Sequence, residues 1–267
     1  MNDNPNLPIA MSFAGLDPSG GAGLQADIET LASMGVHSTP VITAITVQDT
    51  QTLLRYEAVD TPLLVEQARA ILEDMPVAAI KIGMIGSVEN VEAIHTILMD
   101  YPSLPVVLDP LVSAGGGGDL ADNEMLNAMA SLLFPLTTVL TPNSNEARLF
   151  APEADTLDAC AMELLDMGSE YVLITGTHEA TPNVVNSLYS GHRVIETYTW
   201  ERLPHSYHGS GCTLAAAITA LLAQGMEPVT AIHEAQEFTW EALKHGYHPG
   251  MGQAIPNRFF WAHGDDD

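Results

Sequence analysis

The stretch VAAIKIGMIGSVENVEAIHTILMDYPSLPVVLDP, residues 77–110, decides the fold class. Its first seven residues form a short apolar run typical of a buried strand, and VENVEAIHTILMD (88–100) has the apolar spacing of a helix. The run PVVLDP (105–110) predicts a second strand. A strand, a helix and a second strand in this order form a βαβ unit, whose two strands run parallel.

The same alternation continues on both sides of this stretch. It predicts a single-domain three-layer α/β/α sandwich with a mostly parallel central sheet, because helices between parallel strands cover both sheet faces. One domain is expected over residues 1–267, with a core of about 9–245. The further predicted strands are 9–14, 38–48, 137–142 and 171–176, with a hairpin of 184–190 and 192–200 around Gly191. The further predicted helices are about 24–34, 61–74, one ending near 133, 156–167, 211–224 and 228–244.

Glycine-rich or polar segments follow several of these strands. They read GLDPSGGAG after residue 14, GMIGS after 82, DPLVSAGGGGD after 108 and TPNSNE after 140. Ligands of open α/β sheets bind beyond the carboxyl ends of the strands. The sequence therefore predicts a binding site at that edge.

The chain is strongly acidic, with 8 Lys+Arg against 34 Asp+Glu and a formal net charge of −26. This balance excludes nucleic acid and anionic membrane surfaces as expected partners, because both require a positive patch. The low lysine content also suggests a cytoplasm rich in salt, where counterions screen self-repulsion. An acidic protein from an ordinary cytoplasm is the alternative.

The N-terminal segment MNDNPNLPIA lacks the basic region of a secretory signal, since the first basic residue is Arg55. No apolar stretch has the length of a membrane span. The two cysteines, Cys160 and Cys212, do not make a disulfide framework. A cytoplasmic location is expected.

Two phosphate-binding motifs fit the sequence poorly. A P-loop is excluded because neither lysine follows a glycine. The segment GAGLQA (21–26) fits the loose dinucleotide pattern, but it begins seven residues after the strand ends and no acidic residue lies near 41–46. A loop that leads into a helix and covers the substrate is the better interpretation.

The segment HGSGCTLAAAIT (208–219) predicts an anion site. Gly209 and Gly211 allow positive φ and close backbone approach, and the residues that follow are strong helix formers. A helix N-terminus of this kind offers free N–H groups and a favourable dipole. Cys212 at this end is expected to have a lowered pKa and to act as a base. A small buried cysteine near a helix cap is the alternative.

Carboxylates follow two of the strands. Asp109 and Glu146 at neighbouring strand ends are natural Mg²⁺ ligands, although each could equally be a cap or turn residue. Asp27, in the first helix, could as easily be solvated. Gln48, polar at the end of an apolar strand, is a candidate for substrate contact.

The histidines and methionines are less informative. His205, His208 and Cys212 have spacing that could ligate zinc, but four good ligands do not assemble in the sequence. His245 and His248 are expected at the surface. Met34 and Met84 are read as core residues.

Five linked segments, spread over about residues 9–245, carry a resemblance to a known family. In order and spacing the chain resembles the hydroxymethylpyrimidine/phosphomethylpyrimidine kinases of thiamine biosynthesis, members of the ribokinase-like superfamily that also holds the pyridoxal kinases. The segments are AGLDPSGGAGLQADIETLASMGVHSTPVITAITVQDT, KIGMIGS, VVLDPLVSAGGGGDL, LTPNSNEA and HGSGCTLAAAI. Sugar kinases of the superfamily usually carry aspartate where this chain has Cys212.

The resemblance implies the ribokinase-like sandwich, ATP with Mg²⁺, and two successive phosphorylations of a pyrimidine alcohol. Relatives are commonly dimers, so a homodimer is expected. The implied catalytic residues are Cys212 as base and the N–H groups of Gly209, Ser210, Gly211 and Cys212 as anion hole. The implied substrate contacts are Gly15, Asp27, Gln48 and Met84. The implied ATP-binding residues are Asp109, Asn143, Glu146, Thr175 and Gly176, of which Asp109 and Glu146 would also hold the metal.

Two positions depart from the family pattern. Many relatives carry lysine where this chain has Gly115, and again where it has Thr175. A missing cation weakens the stabilisation of developing phosphate charge. Arg193, Arg202 or the magnesium ion could compensate.

Three other functions remain open at this point. A pyridoxal kinase would use the same fold and anion hole on another ring with a hydroxymethyl group. A binding protein for pyrimidine or nucleotide would fit the two missing lysines. A thiol enzyme would use Cys212 covalently, but it lacks an obvious dedicated histidine partner.

Overall fold

The computed structural model describes residues 7–112 and 122–262, and these form one nine-stranded sheet with helices on both faces. The strand order is β3-β2-β1-β4-β5-β6-β7-β8-β9. The strands are β1 (Ile9–Leu16), β2 (His37–Gln48), β3 (Leu53–Ala58), β4 (Val77–Ile82), β5 (Val106–Leu108), β6 (Val139–Leu140), β7 (Tyr171–Ile174), β8 (Asn183–Ser190) and β9 (Arg193–Glu201).

The helices alternate with the strands as the sequence predicts. They are α1 (Gly23–Ser33), α2 (Thr61–Asp74), α3 (Val88–Asp100), α4 (Asn123–Ala128), α5 (Ser144–Phe150), α6 (Leu157–Asp166), α7 (Ser210–Ala223) and α8 (Pro228–Lys244). A π-helical turn, Met129–Leu133, continues α4.

The six central strands, from β2 through β1 and β4 to β7, pair in parallel, whereas β3, β8 and β9 pair antiparallel. This confirms the predicted mostly parallel sheet and the predicted hairpin. The strand β3 was not predicted, because LLRYEA lacks the apolar alternation of a half-buried strand and most of its side chains are exposed.

Two apolar cores lie on opposite faces of the sheet, because successive strand residues point to opposite sides. Ile80 belongs to the core beneath α2 to α6, and its neighbour Ala79 to the core beneath α1, α7 and α8. The helix α7 is apolar on nearly every side and has twelve buried residues, which makes it the central helix of its layer. The three-layer prediction is confirmed, and the assignment of residues 1–267 to one domain stays a prediction.

The expected end of the core near residue 245 is wrong. Residues 246–262 return to the body of the protein, where Ala254, Ile255 and Arg258 are buried. Backbone hydrogen bonds join this segment to Ser206, His208 and Ala242. The segment lacks a helical or strand period, so the sequence pattern gave no reason to expect it in the core.

Candidate active site

A cavity of about 720 Å³ opens at the carboxyl edge of the sheet, where the sequence predicts a site. Most of the predicted site residues line it, and Asp27 and Gly176 do not. The predicted residues in its wall are Gly15, Gln48, Met84, Asp109, Asn143, Glu146, Thr175, Gly209, Ser210, Gly211 and Cys212.

The N-terminus of α7 forms one wall of this cavity. Gly209, the N-cap, has φ +86°, as the sequence predicts for this glycine, and no side chain in the described part of the chain caps the helix. A Cβ at Gly209 would lie 1.9 Å from the Gly21 carbonyl oxygen, so only glycine fits. Backbone N–H groups of the first turn are therefore available to an anion in the cavity.

The Cys212 thiol lies in this first turn and is buried. Burial raises its pKa to about 11; the Lys81 ammonium opposes this shift, and the carboxylates of Asp109 and Asp27 add to it. The expected lowered pKa is therefore wrong. The helix dipole offers a modest stabilisation of a thiolate, whereas desolvation beside two carboxyl groups costs more.

Asp109 and Glu146 are both buried at the cavity wall. Burial raises the pKa of Asp109 to about 6, with Lys81 opposing and Asp27 adding to the shift. Burial and then the Asp109 charge raise the pKa of Glu146 to about 8. Glu146 also completes a capping box with Asn143, whose backbone N–H donates to Glu146 Oε2 at 2.8 Å. The cap interpretation of Glu146 is confirmed, and its role as a Mg²⁺ ligand stays a prediction for a residue that also faces the cavity.

Asp27 lies behind the cavity wall and not in it. Its carboxylate pairs with Lys81, at 2.9 Å from Nζ to Oδ1, and both side chains are fully buried. The expectation that Asp27 lines the pocket is wrong, and so is the alternative that it is solvated. Burial alone would lower the pKa of Lys81, but the neighbouring carboxylates, Asp27 first and then Asp109, raise it, so Lys81 is a permanent cation in the wall. The sequence offered no periodic signal for this residue.

Asp17 and His208 form a polar pair in the cavity wall that was not predicted from the sequence. Asp17 Oδ2 lies 2.8 Å from His208 Nε2, and the backbone N–H groups of Ser19 and Ala22 donate to the same carboxylate. Burial would raise the pKa of Asp17, but these hydrogen bonds together lower it to about 2. The Asp-Pro-Ser order is a turn signal that could have indicated it.

Gln48 contacts this pair, with its Nε2 2.9 Å from His208 Nε2.

His205 also lines the cavity, but its ring packs against Tyr207 and His248. Within residues 7–112 and 122–262, no group of three His, Cys, Asp or Glu side chains could hold a metal ion. The zinc hypothesis receives no support from this geometry. Met84 lines the cavity instead of filling the core.

The sequence and the fold have counterparts among known proteins. The model of the phosphomethylpyrimidine kinase family matches residues 17–257. The chain belongs to this family.

Phosphomethylpyrimidine kinase relatives match over nearly the whole chain. A hydroxymethylpyrimidine/phosphomethylpyrimidine kinase of Synechococcus elongatus is 36% identical, over 95% of this chain and 98% of that protein. One from Staphylococcus aureus is 32% identical, over 94% of this chain and 93% of its own length.

Solved structures of two kinase types share the fold. The ADP complex of Bacillus subtilis pyridoxal kinase has a TM-score of 0.87 and 31% identity, covering 96% of this chain and 99% of that one. A phosphomethylpyrimidine kinase from Clostridium difficile 630 has a TM-score of 0.77 and 31% identity, covering 88% of this chain and 99% of that one. The ribokinase-like fold predicted from the sequence is thereby confirmed.

This phosphomethylpyrimidine kinase family member lacks a lysine at Thr175, which lines the cavity. Gly176, next to it, packs behind the wall: its N–H donates to Asn186 Oδ1 at 3.0 Å, and a Cβ would lie 2.1 Å from the Val185 carbonyl oxygen. Gly115, the other departure, lies outside the described residues.

The two arginines that could compensate for the missing lysines differ in position. Arg202 lines the cavity, but its guanidinium donates to the carbonyls of Thr177, Glu179 and Thr181 and so fixes the loop after β7. Arg193 is exposed at the start of β9 and does not line the cavity. Lys81 also lines the cavity, and it comes from the strand β4 in the middle of the sheet.

Proposed function

We propose that this chain is an ATP-dependent kinase of thiamine biosynthesis that phosphorylates 4-amino-5-hydroxymethyl-2-methylpyrimidine to its monophosphate and then to its diphosphate. One observation carries the proposal: in a phosphomethylpyrimidine kinase family member, the uncapped N-terminus of α7 and two buried carboxylates face one cavity. The volume of about 720 Å³ is in the range of small-molecule sites.

The N–H groups of Gly209, Ser210, Gly211 and Cys212 would stabilise the charge on the phosphoryl group during transfer. Phosphoryl transfer depends mainly on positioning and electrostatic stabilisation, and preorganised backbone donors provide both. Lys81 contributes a fixed positive charge near this end of the cavity, since it lines the wall and stays protonated.

Asp109 and Glu146 would hold Mg²⁺. Mg²⁺ sites of nucleotide enzymes use one or two carboxylates together with phosphate oxygens and water, so two protein ligands are sufficient. The mutual repulsion of these buried carboxylates, seen in the raised pKa of Glu146, is what a divalent cation relieves. When bound, the ion would neutralise phosphate charge.

Cys212 would accept the proton of the hydroxymethyl group. In the free cavity its thiol is protonated at neutral pH, so the thiolate is a minor species. Lys81 is the neighbouring group that favours the thiolate. The second phosphorylation uses a phosphate oxygen that is already ionised, so it needs a base less.

Gly15, Gln48 and Met84 would contact the pyrimidine. A Cβ at Gly15 would lie 3.0 Å from Met84 Sδ, so the two form one continuous surface. The side-chain amide of Gln48 has an acceptor for the amino group of the pyrimidine and donors for its ring nitrogens. Asn143, Thr175 and Gly176 are proposed for the ATP side, where Gly176 acts from behind the wall.

The test is release of ADP with Mg-ATP and the pyrimidine alcohol, with products resolved by mass. We expect both the monophosphate and the diphosphate. Pyridoxal is assayed in parallel, because a pyridoxal kinase would turn over that alcohol faster. Stabilisation by ligand without formation of ADP would favour the binding protein, and a mass adduct on Cys212 would favour the thiol enzyme.

We also propose a homodimer. Leu16, Ile45 and Val47 form an exposed apolar surface near the sheet edge, and the paired residues Arg55 and Glu57 lie beside it on β3. An apolar surface flanked by both charge signs can be self-complementary in a two-fold dimer. Light scattering after gel filtration should give twice the mass of the 28.5 kDa chain, and a monomer would contradict the proposal.

A cytoplasmic location is proposed because ATP is a cytoplasmic metabolite. Among the helices of the described residues, none is both long and apolar enough to cross a bilayer.

A further inference from the structure

Arg258 is the most completely buried basic residue outside the cavity wall, and it comes from the segment after α8 that the sequence analysis left out of the core. Its side chain is fully inaccessible to solvent. A guanidinium carries five N–H donors and cannot lose its charge in a protein, so its burial requires partners. Those partners come from three separate parts of the chain.

Two partners belong to the glycine-rich loop between β1 and α1. The Arg258 guanidinium donates to the carbonyl oxygens of Gly20 and Gly21. The Gly21 carbonyl in turn packs directly against Gly209, and a Cβ at Gly21 would lie 2.2 Å from His208 Cδ2. The loop therefore rests on the residues that begin α7, and Arg258 fixes it there.

A third partner belongs to α7 itself. Arg258 Nε donates to Thr213 Oγ1 at 3.0 Å, and the Thr213 hydroxyl donates to the Gly209 carbonyl at 2.8 Å. This carbonyl belongs to the peptide that links Gly209 to Ser210, so the chain of hydrogen bonds sets the orientation of the Ser210 N–H. A donor of the proposed anion hole is thus held through two hydrogen bonds by Arg258.

The fourth partner is electrostatic. Glu29 Oε2, on α1, lies 2.9 Å from Arg258 Nη1, and its side chain is partly exposed. The Glu29 carboxylate balances the buried charge of Arg258. It is not one of the contacts by which Arg258 joins the glycine-rich loop to α7. This separation allows the charge partner and the positioning contacts to be removed independently.

We propose that Arg258 is a positioning residue for phosphoryl transfer: it joins the glycine-rich loop to the N-terminus of α7 and holds the backbone donors of the anion hole in place. This inference rests on the proposed kinase function. Misplacement of catalytic groups by about 1 Å costs on the order of 100-fold in rate, so a residue that acts through the backbone can have a large effect.

The test compares R258M and R258K with the wild type, at a temperature well below the melting point of each variant. We expect R258M to lower kcat about 10- to 100-fold with little change in either KM, because the donors act most strongly on charge that develops in the transition state. R258K keeps the charge without the planar fork and should recover part of the loss.

Two control variants separate positioning from stability. E29Q removes the charge partner and leaves the contacts to the loop and Thr213, so it should lower the melting point without the loss of kcat. R69M removes an ion pair with Asp100 at the surface and should change neither the melting point nor kcat. A kcat for R258M within about twofold of wild type, or an equal loss in E29Q, would overturn the inference.

Hydrogen exchange gives a readout that does not depend on turnover. In R258M, exchange should rise in peptides that cover residues 17–23 and 209–213 and stay unchanged in the core of the α2–α6 face. A uniform rise would show a general structural role and overturn the proposal. If the wild type itself forms no ADP, the proposed kinase function fails, and the exchange pattern alone decides the role of Arg258.

Discussion

At the scale of single residues, burial determines the chemistry of the site more than position on a helix does. Cys212 has the favourable helix end that the sequence predicts, yet its pKa rises to about 11 because it is buried beside carboxylates. Asp17 shows the opposite balance, since four hydrogen bonds outweigh burial and lower its pKa to about 2. Both outcomes depend on neighbours that are distant in sequence.

Substitution of Cys212 by alanine should damage the first phosphorylation more than the second. We expect kcat of the first step to fall about 100-fold or more, the usual contribution of a general base. The second step attacks with an ionised oxygen and should fall by less. Single-turnover assays with each acceptor measure the two losses separately.

The matched control is C160A. Cys160 is fully buried in the core of the opposite sheet face, so its truncation should cost stability and leave both steps intact. Equal losses in both steps for C212A would show that Cys212 positions groups without accepting a proton.

Substitution of Asp17 by asparagine should destabilise the protein in a pH-dependent way. The folded pKa of about 2 lies below the ordinary aspartate value of 3.8, so the charged carboxylate stabilises the fold above about pH 4. This contribution is about 2 kcal/mol and is lost as pH falls through the folded pKa. Urea unfolding of wild type and D17N should therefore differ by a constant amount near neutral pH.

The difference should shrink only below about pH 4, in the window between the two pKa values. Asp49 provides the control, because its Oδ1 accepts from the N–H groups of Gln51 and Thr52 in an exposed turn. D49N should lower the free energy of unfolding by less than D17N does. A difference between wild type and D17N that grew on acidification would contradict the assignment.

At the scale of elements, α7 illustrates how one helix serves both the core and the site. Its apolar body packs between the sheet and α8, while its N-terminal turn faces the cavity. Both ends carry a glycine with positive φ, Gly209 at +86° and Gly225 at +84°. Their surroundings differ, since Gly225 has nothing within 4 Å of a notional Cβ.

This pair of glycines gives a matched test of close backbone approach. In G225A the alanine must adopt the left-handed backbone conformation, which should lower the free energy of unfolding by about 1–2 kcal/mol. G209A should cost several kcal/mol more, because its Cβ would overlap the Gly21 carbonyl. Denaturant unfolding measures both, and kcat should fall only in G209A. Similar stability losses would show that the glycine-rich loop moves away easily.

At the scale of the whole molecule, nearly all of the acidity of the composition lies outside the core. Within the described residues, two basic side chains (Lys81 and Arg258) and four acidic ones (Asp17, Asp27, Asp109 and Glu146) are buried, so the buried groups account for only −2 of the formal net charge of −26. Self-repulsion of this size opposes the compact state, and salt screens it.

Stability should therefore rise with ionic strength. Between about 0.01 M and 1 M KCl the Debye length falls from about 30 to 3 Å, and we expect a gain of 1 kcal/mol or more, about 2–4 °C in Tm. Sucrose is the control, because it favours burial without screening charge. A Tm that did not change with KCl would identify an acidic protein without adaptation to salt.

The sequence by itself determined the order and type of most elements, the parallel sheet, the edge where the cavity opens and the position of Cys212 at a helix start. Apolar periodicity and glycine placement are local properties, so they can be read from neighbouring residues. Strand β3 was missed because an exposed edge strand carries little periodicity.

Only the tertiary structure decided the Lys81–Asp27 pair, the raised pKa of Cys212, the Asp17–His208 contact and the burial of Arg258. Arg258 bonds a carbonyl 237 residues away in the chain. Desolvation and ion pairing depend on what surrounds a group in space, and no local pattern in the sequence records that.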